Sequence, residues 1–199
     1  MTTNGGNTAY VEAFDAETGL YFGLPVYYGY NLNGAGLDIL QAGNEVRVVG
    51  TMQYYEAGGE YQVAGVNYRM MKPDDPGNLQ KLSEGHEPAC VEITLEELLA
   101  GSVSIGTEAG ETAFDRAEIT LATSLTVPNM RVTALYPDES GTTLRCQSGD
   151  NAISVRTAAA LSAEDWQGKT VTVRGVLTKH DGDYRIRAFT TDGIAIQPE

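Results

Sequence analysis

The sequence predicts an all-β protein made of two small five-stranded barrels. The main observation is a pattern that occurs twice, because residues 43–50 and residues 168–175 both read Gly-x-x-Val-x-Val-x-Gly. A polar glycine turn follows each copy, and after it comes a strand-like run that opens on Tyr61 or on Tyr184. The length of 199 residues suits two domains of about 100 residues each.

The two repeated runs have the pattern of a central barrel strand. Val46 and Val48 alternate with polar residues, and so do Val171 and Val173, which places each pair on one face of a strand. The second glycine of each run lets the strand bend sharply enough to close a small barrel. We therefore expect the two runs to be equivalent strands of two barrels.

In the first half the sequence predicts two strands and then a hairpin across Gly58-Gly59. Pro25 limits how much of the second strand can lie inside a sheet. Two prolines and a glycine make the segment after the hairpin a connector. The predicted strands are 10–14, 20–30, 45–55 and 61–70, with a loop at 31–41 and the connector at 72–78.

This first barrel lacks its own first strand in the prediction, because only nine mostly polar residues precede Tyr10. Two explanations are open. The strand lies outside this sequence, or a later segment, 117–126 or 103–105, supplies it. A first barrel of five strands built only from residues 1–72 would contradict both.

The second half is predicted to hold more strands and two short helices. Thr94 and Ser162 are the predicted N-caps, each with an acidic residue three positions later. Residues 108–111 are predicted to form an exposed loop. The predicted strands are 117–126, 131–136, 143–147, 153–157, 170–179, 184–190 and 194–196, and the helices are 94–100 and 162–166.

Strands, a short helix and two further strands follow one another in the order of the oligonucleotide/oligosaccharide-binding (OB) barrel, a five-stranded Greek key. The repeated run is strand four of that barrel. We thus predict two tandem OB-like domains, a tyrosine-rich one at 1–85 and an arginine-bearing one at 86–199, the latter preceded by the helix at 94–100.

The tandem Gly-x-x-Val-x-Val-x-Gly hairpins, with residues 94–99 leading into the second unit, resemble the OB-like domains of bacterial secreted nucleases and surface proteins. The resemblance covers about two-thirds of the chain, and its motifs are structural. It implies a noncatalytic accessory module of a larger extracellular or surface protein. It supplies no catalytic residue.

Net charge argues against binding of polyphosphates. The formal charge is −14, with 4 basic and 11 acidic side chains in residues 1–90 and 9 basic and 16 acidic in the rest. Nonspecific nucleic-acid affinity comes mainly from Lys and Arg, so nucleic acid is disfavoured as a partner. No apolar run approaches the roughly 18 residues of a membrane helix, and the first residues do not read as a secretory signal.

Aromatic residues are concentrated in the first half, which holds 11 of the 16. Several crowd one predicted strand, and alternation places some on each of its faces, so a small barrel cannot bury them all. Exposed tyrosines could stack on bases or sugar rings, and the alternative is that they cover a neighbouring domain. The candidate ligand-binding tyrosines are Tyr21, Tyr27, Tyr28, Tyr54 and Tyr55.

Basic residues are concentrated in the second barrel, where residues 131–187 hold 8 basic and 7 acidic side chains. Arginines two positions apart on one strand share a face, which could form a cationic strip for phosphates or carboxylates. The alternative is that they pair with nearby acids on the barrel surface. The candidates are Arg145, Arg156, Arg174, Arg185 and Arg187.

Catalytic and metal signals are weak. His86 and His180 are far apart in predicted turns, so both are expected to be exposed surface residues, and no serine shows nucleophile-elbow spacing. No calcium loop, phosphate loop or zinc set is present, so neither a metal nor a cofactor is predicted. Cys90 and Cys146 are expected to be two half-buried or buried thiols, with one disulfide between them as the alternative.

The resulting prediction is a noncatalytic tandem OB-like binding module that contacts a protein or a glycan. The alternative is a single-strand nucleic-acid binder that uses the arginines of the second barrel and the tyrosines of the first. An enzyme is the least favoured class.

Overall fold

The computed structural model describes residues 8–27, 39–56, 58–64, 79–108, 110–189 and 193–198. In these ranges the protein is mainly β, as predicted. The strands are β1 Thr8–Asp15, β2 Leu20–Tyr27, β3 Glu45–Val48, β4 Thr51–Tyr55, β5 Glu60–Ala64, β6 Leu79–Ser83, β7 Val91–Glu92, β8 Ser102–Thr107, β9 Gly110–Asp115, β10 Ser124–Asp138, β11 Gly141–Ser148, β12 Asn151–Thr157, β13 Thr170–His180, β14 Asp183–Ala188 and β15 Ile194–Ile196. The helices are α1 Leu95–Ala100, α2 Arg116–Thr120 and α3 Ala163–Trp166.

The second half contains a closed five-stranded barrel with OB strand order, which confirms that part of the prediction. The hydrogen-bonded circuit runs β10-β11-β12-β14-β13 and returns from β13 to β10. Only β12 and β14 run parallel, and α3 lies between β12 and β13 in the chain. Residues that alternate along these strands fill the interior and are excluded from solvent, among them Leu144, Val155, Val173, Leu177 and Ile186.

β13 carries the second repeated run and pairs with two strands in succession. Val171 and Val173 pair with β10, while residues beyond Gly175 pair with β14. A Cβ atom on Gly175 would lie 2.2 Å from the carbonyl oxygen of Arg187. Glycine is therefore required for β14 to approach β13 this closely.

Several predicted elements of the second half are wrong. Residues 117–126 are not one strand, because α2 occupies the first part and buries Ala117, and β10 begins only at Ser124. Burial of Ala117 in the core beside Leu95 and Leu98 of α1 favours the helix, although Ile119 and Thr120 favour strand. Residues 131–136 belong to the same long strand, whose register shifts between Val127 and Met130. The predicted loop at 108–111 is wrong in part, because Gly110 and Glu111 belong to β9 and pair with β8.

The helix caps are as predicted. The Thr94 and Ser162 hydroxyls accept hydrogen bonds from the backbone N–H of Glu97 and Asp165. α1 buries Leu95 and Leu98 against the barrel core. In the described part of the chain no helix is long and apolar enough to span a membrane.

The described strands of the first half form a four-stranded sheet, β1-β2-β5-β4, and a separate pair, β3–β6. The first repeated run is split, since β3 ends at Val48 and β4 begins at Thr51 in another sheet. β2 and β5 are parallel where Val26 meets Val63. The predicted hairpin across Gly58-Gly59 is confirmed for β4 and β5.

β6 takes the place that the sequence left without a strand. It pairs antiparallel with β3, as β10 pairs with β13 in the barrel. The strand beside β3 is thus β6, which lies within the predicted first domain. Neither later segment supplies it, because 103–105 pairs with β9 and 117–126 forms α2 and the start of β10. No pairing between described residues joins β1 to β6, so the described strands of the first half do not close a ring.

Among the described residues the first half also has the smaller core. Ala9, Val26, Leu40 and Leu79 are buried together, and Val46 and Val48 are only partly buried against them. The predicted strand ends at 28–30 and 65–70 and the connector at 72–78 lie outside the described residues. The domain boundary near residue 85 stays a prediction.

Candidate functional site

Aromatic and apolar side chains are exposed on one face of the four-stranded sheet. Tyr54 and Tyr61 form a cross-strand pair with ring centroids 5.1 Å apart, and they are 55% and 63% exposed. Met52 lies two residues before Tyr54 on the same face and is 53% exposed. On β2, which pairs with β5, Phe22 and Leu24 are each 37% exposed. We call these five residues the tyrosine face.

The tyrosine face continues a buried surface. Val26 and Val63 lie on the same side of the sheet, and they contribute to the core of the first half. The side chains of β3 and β6 cover that end of the sheet, whereas the tyrosine-face residues remain exposed. The centre of the face has no charged side chain, and Asp15 and Glu56 follow the same alternation at its rim.

The other candidate tyrosines lie elsewhere. Tyr21 is on the opposite face of β2, where its ring contacts Phe14 and lines a small cavity of about 110 Å³ next to the barrel. Tyr27 is half-buried at the end of β2, and Tyr55 is exposed opposite Glu60. Tyr28 lies outside the described residues. Of the five candidates the structure thus puts Tyr54 on the exposed face. The sequence missed Tyr61 and Met52, although the period-two alternation of β4 and β5 indicates them.

Four of the five candidate arginines share the outer surface of the barrel in two adjacent rows. One row runs from Thr143 through Arg156 to Arg187, and the next runs from Arg145 through Ser154 to Arg185. We call these four residues the arginine rows. Arg174 is not part of them, because it lies opposite Thr126 on β13 and donates to the Cys90 sulfur at 3.4 Å.

Two members of the arginine rows, Arg156 and Arg187, are already engaged within the protein. Arg156 donates to both carboxylate oxygens of Asp138, at 2.9 and 2.8 Å, and this holds the pKa of Asp138 well below its usual range. Arg187 hydrogen-bonds Tyr10 of the first half. Arg145 is exposed, so it is the member most accessible to an external ligand.

Glu60 of β5 lies over the same surface. Its burial raises the pKa to about 7, against the opposing effect of a backbone hydrogen bond from Lys179 and of the charges of Lys179, Arg185 and Arg187. Glu60 Oε2 and Arg185 Nε are both buried without a hydrogen-bond partner in the described structure. The first half thus covers Arg185 and Arg187, which supports the interpretation of these arginines as structural.

A cleft of about 530 Å³ separates the first half from the barrel. Glu12 lies in the wall of this cleft. Its carboxylate accepts hydrogen bonds from the backbone N–H groups of Ala89 and Ser124 and from the Ser124 hydroxyl, at 2.7 to 2.9 Å. These bonds connect β1 to the start of β10, so Glu12 is a structural link between the two halves.

Ser83, His86 and Glu45 meet at the rim of this cleft, a cluster that no sequence motif indicated. The serine hydroxyl is 2.7 Å from His86 Nε2 and also hydrogen-bonds Glu45 directly. A catalytic triad needs the acid to hold the far nitrogen of the histidine, whereas this carboxylate is on the serine and 3.9 Å from the same Nε2. The cluster therefore lacks the geometry of an activated nucleophile.

His86 and His180 are more than half exposed, as predicted. Cys146 and Cys90 are both free, and burial in the barrel raises the pKa of Cys146 to about 12. Within the described ranges no three His, Cys, Asp or Glu side chains are grouped so that they could hold a metal ion.

The closed barrel, with its parallel β12–β14 pair, places the chain in the all-β class with an OB-like barrel. No protein-family model and no curated protein matches the sequence. Among solved structures, a murine DNA-binding protein bound to double-stranded DNA is similar at 10% identity and a TM-score of 0.40, over 100% of this chain and 92% of that one. A second, described as "Structural mimicry for functional antagonism", has 10% identity and a TM-score of 0.35, over 100% and 86%. Values this low carry no argument about function.

Proposed function

We propose that this chain is a noncatalytic binding module that contacts a protein through the tyrosine face. The single observation that carries the proposal is the exposure of Phe22, Leu24, Met52, Tyr54 and Tyr61 on one side of one sheet. Isolated exposed apolar residues need no explanation, but a contiguous group is typical of an interaction surface.

The composition of the face favours a protein over a glycan. Tyr, Phe and Met are enriched in the centres of protein interfaces while charged residues are depleted there, and the acids at the rim fit the polar border of such interfaces. Sugar-binding platforms need flat rings beside hydrogen-bonding groups, whereas the Tyr54 and Tyr61 rings are tilted by 59° to each other. The next pair toward the centre of the face, Met52 and Val63, is apolar.

A matched pair of variants tests the proposal. Tyr61→Ser is expected to abolish retention of a protein partner from an extract of the source cells, because exposed tyrosines at interface centres contribute most of the binding energy. Tyr136→Ser is the control, since Tyr136 is similarly exposed on the barrel. Photo-crosslinking from position 61 and from position 136 identifies whether the contact is direct.

Equal loss in both variants would contradict the proposal, and so would retardation of the wild-type protein in gels that contain soluble polysaccharide. Single-stranded nucleic acid is the second candidate ligand, because Arg145 and Arg156 lie together on the OB surface. A fluorescent oligonucleotide at low salt tests it, since a phosphate binder loses affinity steeply with salt. The competing contacts of Arg156 and Arg187 lead us to expect no binding.

A further inference from the structure

The β8–β9 hairpin stands apart from the other sheets. Among the described residues its strands pair only with each other, from Ser102 opposite Asp115 to Thr107 opposite Gly110. Val103, Ile105 and Phe114 share one face of it, and Phe114 is exposed. A two-stranded hairpin alone is at best marginally stable in water. Pairing with a further strand would therefore stabilise this hairpin.

The two edges of the hairpin differ in charge. β9 carries Glu111 and Asp115, whereas Ser102 to Gly106 of β8 hold no charge and no proline, and their pairing shows no register shift. Natural edge strands are usually protected by charges, prolines or bulges. Residues 102–106 have none of these protections.

We propose that β8 pairs with β8 of a second copy of this chain, antiparallel across a two-fold axis at Ser104. In this register Val103 lies opposite Ile105 of the second copy, and Ser102 lies opposite Gly106. The result is a four-stranded sheet in which the apolar faces of the two hairpins are continuous. A two-fold contact of this kind is self-complementary and closes at two copies.

The distribution of charge favours pairing between two β8 strands over pairing between two β9 strands. Pairing of two β9 strands about Ala113 would set Glu111 opposite Asp115 at both ends, and like charges directly opposite each other destabilise a sheet. The β8 contact places no charged pair face to face. Each copy carries a net charge of −14, so the copies repel at a distance. Salt screens this repulsion, and the small contact predicts a weak dimer that is favoured by salt.

Sedimentation equilibrium of the full chain tests the proposal over a range of protein and salt concentrations. The mass of the wild-type protein is expected to rise from 21.3 kDa toward twice that value as either concentration increases. Ser104→Lys is expected to remain monomeric, because two lysines would meet at the axis. Ala113→Lys makes the same charge change on the other edge and is expected to dimerise like the wild type.

A wild-type protein that stays at monomer mass throughout would overturn the proposal, as would equal dissociation of both lysine variants. A second measurement does not depend on affinity. Under mild oxidation Ser104→Cys is expected to form a covalent dimer much faster than Ala113→Cys, because only position 104 lies opposite the same position of the second copy. Equal rates would place the contact elsewhere. Tyr61→Ser should leave both measurements unchanged, which separates this contact from the proposed protein-binding face.

Discussion

The two copies of the Gly-x-x-Val-x-Val-x-Gly run have different structural environments. In the barrel the run is one continuous strand, and Val171 and Val173 are excluded from solvent. In the first half the run is interrupted after Val48, and its valines are only partly buried. In both, the first part of the run pairs with one strand and the part after the glycine pairs with another. The same local pattern therefore accompanies a closed barrel in one half and an exposed aromatic face in the other.

Alanine at the second glycine is the strongest test of this comparison. Gly175→Ala is expected to destabilise the barrel by about 3 kcal/mol, because the new Cβ would meet the Arg187 carbonyl and the Ile186 side chain. Gly50→Ala is expected to cost less, because its Cβ would approach a backbone oxygen less closely, at 2.6 Å from Ala64 instead of 2.2 Å from Arg187.

Urea unfolding followed by Trp166 fluorescence measures the first effect, because this single tryptophan packs against the barrel core. Gly106→Ala is the control, since nothing lies within 4 Å of a Cβ at that position. A cost at Gly50 equal to that at Gly175 would show that both strands are equally constrained.

Truncation of the matched valines has the next largest effect. Val173→Ala is expected to lower the free energy of unfolding by about 2 kcal/mol, because a fully buried side chain loses its packing and leaves a cavity. Val48→Ala is expected to cost about 1 kcal/mol, because its side chain is already partly exposed. Denaturant titrations of both variants by far-ultraviolet circular dichroism check this, and equal costs would mean that the first half is packed as tightly as the barrel.

How much of this the sequence predicted depends on the range of the interactions. Alternation, turn residues and caps are local, so β11, β12, β13, β14 and the caps at Thr94 and Ser162 were predicted correctly. Residues 117–126 were assigned wrongly because burial of Ala117 against α1 decides the helix. The placement of β6 beside β3 depends on a pairing that no local pattern reports.

The same difference between local and long-range interactions applies to the candidate site. Outward alternation indicated correctly that the arginines of β12 and β14 share a surface. It could not indicate that Tyr10 and Glu60 of the first half cover part of that surface, because this requires the arrangement of the two halves. Alternation also could not distinguish the tyrosine face from the end of the same sheet surface that β3 and β6 bury.

The contact between the halves gives the smallest expected effect, and it depends on pH. Burial raises the pKa of Glu60 to about 7 from an ordinary value near 4.5. The folded protein therefore binds a proton more tightly than the unfolded chain does. The stability from this group is fully present below about pH 4.5 and is lost as the pH rises through about 7.

Glu60→Gln keeps the shape of the protonated side chain and cannot ionise. Its free energy of unfolding is expected to match that of the wild type at pH 4 and to exceed it at pH 8, where the wild type holds a half-buried carboxylate. The difference between the two titration curves isolates Glu60 from the many other acids that titrate in both proteins. If the charges of Lys179, Arg185 and Arg187 outweigh burial, the variant will instead be the less stable protein at pH 8. In that case the first half would be held on the barrel by an ion pair.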